Sequence, residues 1–335
     1  MTREADRRHP FVRATRRAAL ALGALAGMAA RPARASPRST VWLSGERDPR
    51  RVLDRLAAQL PRDLAAGKRV AVKANFNSAD PFPAATAPDT LDALLAWLAA
   101  QRPARLHLAE RSGMGDTRVV LERAGVPRLA GRYGCEVEVL DATGAEGWVA
   151  VRGPGLHWRR GFLLARSFAE AELVVQTCCL EIHRFGGRFT MALENPVGAV
   201  AKFDPRDGWD YMRELHASPH QRAMIAEIST AFRHDLILMD ARKGFRTGGP
   251  EAGTLVEPGL FLASRDPVAI DAVGVAILRR YGTTPELTAG PIFAQEQLAR
   301  AAELGIGVES VAAIELRGLD EAGARAAEEL RPFLA

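Results

Sequence analysis

A lysine and a histidine are the side chains of this sequence best suited to chemistry. Lys73 directly follows the apolar segment 70–72, and a lysine that ends a buried strand is costly without an anionic partner. His183 follows the apolar segment 172–177, and histidine titrates near neutral pH, so it can act as a general acid or base. Taken alone, such a histidine is also compatible with a structural role. Lys73, His183 and Asp240 are the candidate catalytic residues.

Further polar residues follow the same apolar segments and form a candidate substrate-binding set. Ligands of parallel α/β sheets bind beyond the carboxyl ends of the strands, so these side chains are expected to meet at one edge of the sheet. The set is Asn75, Asn77, Glu110, Arg111, Ser112, Arg184, Asn195, Lys202, Gly248 and Gly249.

Metal-binding patterns are weak in this sequence. His183 and Glu181 are weak candidates for ligands, because imidazole and carboxylate groups both bind metals. His216 and His220 have the i,i+4 spacing of two ligands on one helix face, but Pro219 between them disfavours a continuous helix.

The three cysteines do not indicate a cofactor. Cys135, Cys178 and Cys179 form neither a C-x-x-C motif nor a ferredoxin-type run, so no iron–sulfur cluster held by this chain is expected. Cys178 and Cys179 follow an apolar strand pattern and are interpreted as small buried residues. Any other cofactor stays unknown.

These residues require a fold that brings strand ends together. Apolar strand patterns alternate with helical patterns of about 10–15 residues, which is typical of βαβ units. The sequence therefore predicts an α/β fold with a mostly parallel sheet or sheets flanked by helices, and a cleft at the strand C-terminal ends. We expect two lobes, residues 36–150 and 151–335.

The first 35 residues differ from the rest of the chain in charge. They hold eight of the 45 lysines and arginines and two of the 40 acids, so the remaining 300 residues are nearly neutral despite a net charge of +5. A nucleic-acid partner is therefore not expected.

The same residues have the pattern of an export signal. Arg16 and Arg17 precede an uncharged run at 18–30 and a small-x-small site at 33–35, which predicts a twin-arginine signal cleaved near Ala35. As a helix the run would span about 20 Å, short of a bilayer core of ~30 Å, so no stable membrane span is expected. The prediction is an exported protein, periplasmic in a Gram-negative bacterium. A Sec-type signal, a disordered basic tail and an interfacial helix are the alternatives.

Together these motifs resemble the domain of unknown function 362 family. The matching segments follow family order over about residues 69–280: 70–77, 109–117, 183–187 with 195–198, 239–240, and 248–250 with 266–273. The chain departs from the family pattern at Glu181 and Glu194, where lysines are usual, and at Ala87, where histidine is common. The resemblance implies a fold and a cleft but no reaction.

Three functions stay open. The first is an enzyme doing acid/base chemistry on a small polar or anionic molecule, with Lys73 and Arg111 supplying electrostatics and His183 moving the proton. The second is a cofactor- or metal-centre-binding or maturation factor that serves a redox partner protein. The third is a structural periplasmic protein. The layout is also distantly similar in fold to lactate-racemase-type proteins, which move a proton beside a carbonyl with a nickel cofactor.

Overall fold

The computed structural model describes residues 28–29, 38–186 and 188–335. Apart from residues 28–29, the predicted export signal at residues 1–35 lies outside the described residues. Across the described ranges, none of the helices has both the length and the apolar character needed to cross a bilayer.

The described residues form strands that fall into two sheets. The strands are β1 (Met28–Ala29), β2 (Ser39–Ser44), β3 (Arg69–Lys73), β4 (Arg105–Glu110), β5 (Glu136–Val139), β6 (Trp148–Arg152), β7 (Phe162–Ala165), β8 (Leu173–His183), β9 (Arg188–Thr190), β10 (Leu236–Gly248), β11 (Gly253–Val256), β12 (Leu260–Ser264) and β13 (Ile314–Gly318).

Several of the helices begin where the sequence provides an aspartate cap. Asp266 accepts hydrogen bonds from the backbone N–H groups of Val268 and Ala269, and Asp116 accepts one from Val119. The helices are α1 (Pro49–Ala57), α2 (Pro88–Ala100), α3 (Thr117–Arg123), α4 (Val126–Gly131), α5 (Arg166–Ala169), α6 (Tyr211–Ala217), α7 (Gln221–Ile228), α8 (Pro267–Arg280), α9 (Pro285–Thr288), α10 (Glu296–Glu303) and α11 (Glu321–Leu330).

The larger sheet has the order β13-β2-β12-β10-β8-β3-β4-β5, with β9 paired to β8 and β11 paired to β10. Strands β5, β4, β3, β8 and β10 are parallel, whereas β12 runs antiparallel to both of its neighbours, β10 and β2. The predicted α/β fold with a mostly parallel sheet flanked by helices is confirmed. Strands from both 36–150 and 151–335 share this sheet, and the boundary between two lobes stays a prediction.

Apolar side chains cover both faces of the larger sheet. Along β3, Val70 and Val72 pack into a cluster with α1 and α2, while Ala71 points to the opposite face, as the two-residue period of a strand requires. The buried strand pattern thus places helices on both sides. Because β3, β4 and β8 are parallel, Lys73, Glu110 and His183 end at the same edge.

Candidate functional site

A cavity of about 170 Å³ opens at the carboxyl ends of β3, β4 and β8. Residues from all three strand ends, from the loops after β3 and β4, and from the segment after β9 form its wall. The predicted site residues that line it are Lys73, Asn75, Asn77, Glu110, Arg111, His183, Asn195 and Lys202. The structure therefore brings Lys73 and His183 to one cavity.

Lys73 and Glu110 form a buried ion pair at the base of this cavity. The Lys73 Nζ atom lies 2.6 and 2.8 Å from the two carboxylate oxygens of Glu110, and their side chains are 2% and 1% exposed. Nζ also donates to the carbonyl of Ala74 and to Oδ1 of Asn195. Burial lowers the pKa of Lys73 and raises the pKa of Glu110, and their mutual attraction opposes both changes.

Arg111 fastens the segment 195–200 across the ends of β3 and β4. Its guanidinium donates to the carbonyls of Val200 at 2.9 Å and Val197 at 2.7 Å. The backbone passes so close to the ion pair that a Cβ on Gly198 would lie 2.7 Å from Glu110 Oε1. Arg111 is buried against backbone carbonyls, and burial lowers its pKa.

His183 and Glu194 form a second titratable pair on the cavity wall. His183 Nε2 lies 3.4 Å from Glu194 Oε1, and the backbone N–H of Phe185 donates to Nδ1 at 3.2 Å. Because Nδ1 accepts this bond, the proton of the neutral ring lies on Nε2 and faces Glu194. The arrangement can therefore pass a proton between imidazole and carboxylate.

Glu181 is fully buried two residues before His183 on β8, and neither of its carboxylate oxygens has a hydrogen-bond partner among the described residues. Burial raises its pKa well above the usual range, and the negative charges of Glu194 and Glu251 add to this rise. In the described part of the chain, no three or more His, Cys, Asp or Glu side chains are grouped so that they could hold a metal ion. The geometry therefore adds no support for Glu181 and His183 as ligands.

Asp240 is not brought to the cavity. The sequence pattern places it at a strand end, but β10 continues to Gly248 and Asp240 lies opposite Cys179, in mid-strand. Its carboxylate accepts hydrogen bonds from Thr90 Oγ1 at 2.6 Å and from the Arg242 guanidinium at 2.7 Å. These partners account for its burial without a ligand.

Four other predicted residues support the loops around the cavity without lining it. Ser112 donates to the carbonyl of Phe76, and Arg184 forms an ion pair with Glu251. Gly249 has a φ of +58° and packs so closely on β8 that a Cβ would lie 2.0 Å from the Ile182 carbonyl oxygen. Gly248, at the end of β10, also has a positive φ.

Asp271 is a positioning residue that sequence reasoning did not select. It is fully buried in α8 and accepts hydrogen bonds from the backbone N–H groups of Ala192 and Leu193, directly before Glu194. Burial raises the pKa of Asp271 to about 8. A carboxylate within an otherwise apolar helix was the available signal, because such a group needs hydrogen-bond partners.

His216 also lines the cavity and was not predicted to do so. Its Nδ1 lies 2.7 Å from the carbonyl of Met212 in the preceding helical turn. Its i,i+4 neighbour His220 lines a separate cavity of about 730 Å³ and stacks on His157. The two histidines therefore face different cavities, since α6 ends at Ala217 before Pro219.

Comparisons with known proteins give one family and a distant structural similarity. The model of a family described as "Domain of unknown function (DUF362)" matches residues 70–276. No curated protein matches the chain. Among solved structures, the lactate racemase apoprotein from Thermoanaerobacterium thermosaccharolyticum is 17% identical over 61% of this chain and 50% of that chain, with a TM-score of 0.38. The match thus spans half the length of that racemase.

Proposed function

The chain belongs to the DUF362 family, and we propose that it is an enzyme doing acid/base chemistry on a small polar or anionic molecule. The observation that carries this proposal is the His183–Glu194 pair, which faces the cavity from the wall beside the Lys73–Glu110 ion pair. Two titratable pairs next to one small cavity are typical of sites that move protons.

The charges on the wall favour a polar or anionic ligand. Lys73, Arg111 and Lys202 are positive, whereas Glu110 and Glu194 are negative, so one positive charge is in excess when the histidines are neutral. Arg111 has its hydrogen bonds to neutral carbonyls, and Lys202 has no carboxylate partner among the described residues. These two cations are therefore assigned to holding an anionic group.

We assign the transfer of the proton to the His183–Glu194 pair. Neutral His183 carries its proton on Nε2, where it can be donated, and the Glu194 carboxylate can receive a proton in the same place. Lys73 supplies a fixed positive charge beside this pair, held in place by its ion pair with Glu110.

Deuterium exchange tests this proposal. Acetate, lactate and pyruvate are incubated with the protein in D₂O, and binding and loss of the carbon-bound proton signals are followed by NMR. We expect binding to the wild type and exchange in at least one probe. His183→Gln and Glu194→Gln should slow exchange about 10²- to 10⁴-fold without weakening binding, since Glu194→Gln removes a negative charge from the cavity wall.

His220→Gln is the matched control, because this histidine lines the other cavity. It should bind and exchange like the wild type. Absence of binding by every probe, or equal exchange in His183→Gln and the wild type, would contradict the proposed function.

We also propose that the protein is exported, on the basis of the arginine pair and apolar run within residues 1–35. Expression of the full chain followed by mass spectrometry of the periplasmic fraction tests this. The expected mature protein starts near Ser36, and Arg16→Lys combined with Arg17→Lys should retain it in the cytoplasm. A full-length protein confined to the cytoplasm would contradict export.

A further inference from the structure

We propose that the substrate of this site is an amphipathic anion, with a small charged head in the cavity and an apolar part lying on the surface beside it. This inference rests on the proposed function and adds the class of substrate. The surface is formed by Met114, Phe185 and Phe203, and we call it the apolar rim.

The apolar rim is unusual because large hydrophobic side chains are rarely so exposed in the part of the chain that the structure describes. Among the described residues only five are strongly exposed, and three of these are Met114 (45%), Phe185 (48%) and Phe203 (50%). Met114 and Phe185 line the cavity, and Phe203 directly follows Lys202, which also lines it. Exposed apolar side chains beside a cavity mark a binding surface.

The three side chains come from parts of the chain that are distant in sequence. Met114 lies in the loop after β4, Phe185 in the turn after β8, and Phe203 beyond the segment 195–199. The fold, rather than a local apolar run, brings Met114 and Phe185 to the wall of the cavity, and the Phe203 ring lies 5.7 Å from Nζ of Lys202, which also lines it. That convergence is the pattern expected of a ligand surface.

The cavity is large enough for the head of the ligand but too small for its apolar part. A volume of about 170 Å³ is close to that of an engineered cavity of about 150 Å³ that admits benzene, whereas drug-sized ligands fill about 300–1,000 Å³. Only a head of a few non-hydrogen atoms therefore fits inside. Any larger apolar group must lie outside, where the apolar rim is.

Cations flank the aromatic side chains of the apolar rim. The Arg184 guanidinium lies 4.2 Å from the ring centre of Phe185, and Lys202 Nζ lies 5.7 Å from that of Phe203. Arg184 is paired with Glu251, so the head is attracted by Lys202 together with Arg111. Three side chains are far too few for a stable protein interface of about 800 Å² per partner, so a small ligand fits better.

A chain-length series tests this inference. Acetate, butanoate, hexanoate and octanoate carry the same head, and their Kd values for the full chain are measured by calorimetry. Half-burial of each added methylene predicts a decrease in Kd of about twofold per methylene, or about 60-fold over the six methylenes from acetate to octanoate. Octylammonium, which has the same tail and a positive head, should bind more weakly than octanoate.

Variants at exposed positions connect the effect to the apolar rim. Phe185→Ser and Phe203→Ser should each reduce the gain from acetate to octanoate at least threefold, with the Kd of acetate for the same variant as the reference. Leu255→Ser is the matched control, because Leu255 is equally exposed (46%) and does not line the cavity. It should reproduce the wild-type series.

The outcomes separate this inference from the proposed function. If acetate binds but Kd is independent of chain length, or the phenylalanine variants leave the series unchanged, the amphipathic substrate is wrong and the acid/base site stands. If no carboxylate binds, the proposed function is wrong and the inference with it. Binding to phosphatidylglycerol vesicles that Phe185→Ser abolishes, without a chain-length effect, would make the apolar rim a membrane contact and overturn the inference.

Discussion

The Lys73–Glu110 ion pair serves both the stability of the fold and the proposed site. Both side chains are buried, and the desolvation of two charges is compensated by their mutual attraction, by the acceptors around Nζ and by the backbone N–H of Arg111, which donates to Glu110 Oε1. Asn195, one of these acceptors, belongs to the segment that forms the cavity wall. The ion pair therefore links the strand ends to that wall.

Removal of one member of this pair should be strongly destabilising. Lys73→Met leaves the Glu110 carboxylate buried without its partner, and we expect the free energy of unfolding to fall by about 3–5 kcal/mol. The double variant Lys73→Met/Glu110→Gln should lose much less than the sum of the single variants. Urea unfolding followed by circular dichroism measures these differences.

The neighbouring pair Arg105–Glu136 provides the control. It also joins adjacent parallel strands, but its side chains are 55% and 61% exposed. Glu136→Gln should therefore change the free energy of unfolding by at most about 1 kcal/mol. Equal losses in Lys73→Met and Glu136→Gln would contradict the interpretation of the buried pair.

Asp271 should make the stability of the protein depend on pH. Burial raises the pKa of Asp271 in the folded state from 3.8 to about 8, so the folded state binds its proton more tightly than the unfolded state does. The resulting stabilisation is complete below about pH 4 and is lost as the pH rises to about 8. The Asn variant cannot titrate and lacks this dependence.

Asp271→Asn tests this dependence directly. The variant should be less stable than the wild type at pH 5, by about 1–3 kcal/mol, because an amide NH₂ faces one of the two backbone donors. Its stability deficit should shrink as the pH is raised to 8, as measured by urea unfolding at each pH. A deficit that is constant or grows over this range would show that the Asp271 carboxyl titrates elsewhere.

At the scale of elements, the turn Asn195–Ala199 connects the two titratable pairs. Asp271 holds the residues before it, and Arg111 holds Val197 within it. The turn can approach the Lys73–Glu110 ion pair only because Gly198 has no side chain. The position of Glu194 relative to His183 thus depends on contacts from α8 and from the end of β4.

Gly198→Ala should displace this turn. The added methyl group would lie 2.9 Å from both Cε and Nζ of Lys73, and we expect a loss of about 1–3 kcal/mol in the free energy of unfolding. Gly131→Ala is the control, because that glycine ends α4 with open space around it. It should be neutral or slightly stabilising, and a similar loss in both variants would argue against a special role for Gly198.

The sequence allowed the prediction of those site residues whose placement follows from a local pattern. Lys73 and Glu110 come directly after apolar strand patterns, so parallel pairing alone brings them together. Asp240 also comes directly after an apolar strand pattern, but it does not lie at a strand end. Strand β10 continues beyond it with a shift in register. The Glu194–His183 pair depends on Asp271, 77 residues further along the chain, and no local pattern encodes such a contact.

At the scale of the whole molecule, the sheet is completed by strands outside the family match. Residues 70–276 contain β4, β5, β8, β10 and β12 and nearly all of β3, but β2 and β13 lie outside that range. Strand β2 pairs with β12, and β13 pairs with β2. Leu43 from β2 and Leu330 from α11 pack in the same apolar cluster as α8.

A fragment of residues 70–276 should therefore fail to fold as a stable monomer, although it contains Lys73, Glu110, His183 and Glu194. Without β2, strand β12 becomes an open edge, and the apolar face of α8 is uncovered, which favours aggregation. The control is residues 38–335, which should unfold cooperatively in urea and run as a compact species on size-exclusion chromatography. Cooperative unfolding of the fragment at the same urea midpoint would mean that the family segment is an independent domain and that β2, β13 and α11 contribute nothing to holding the site.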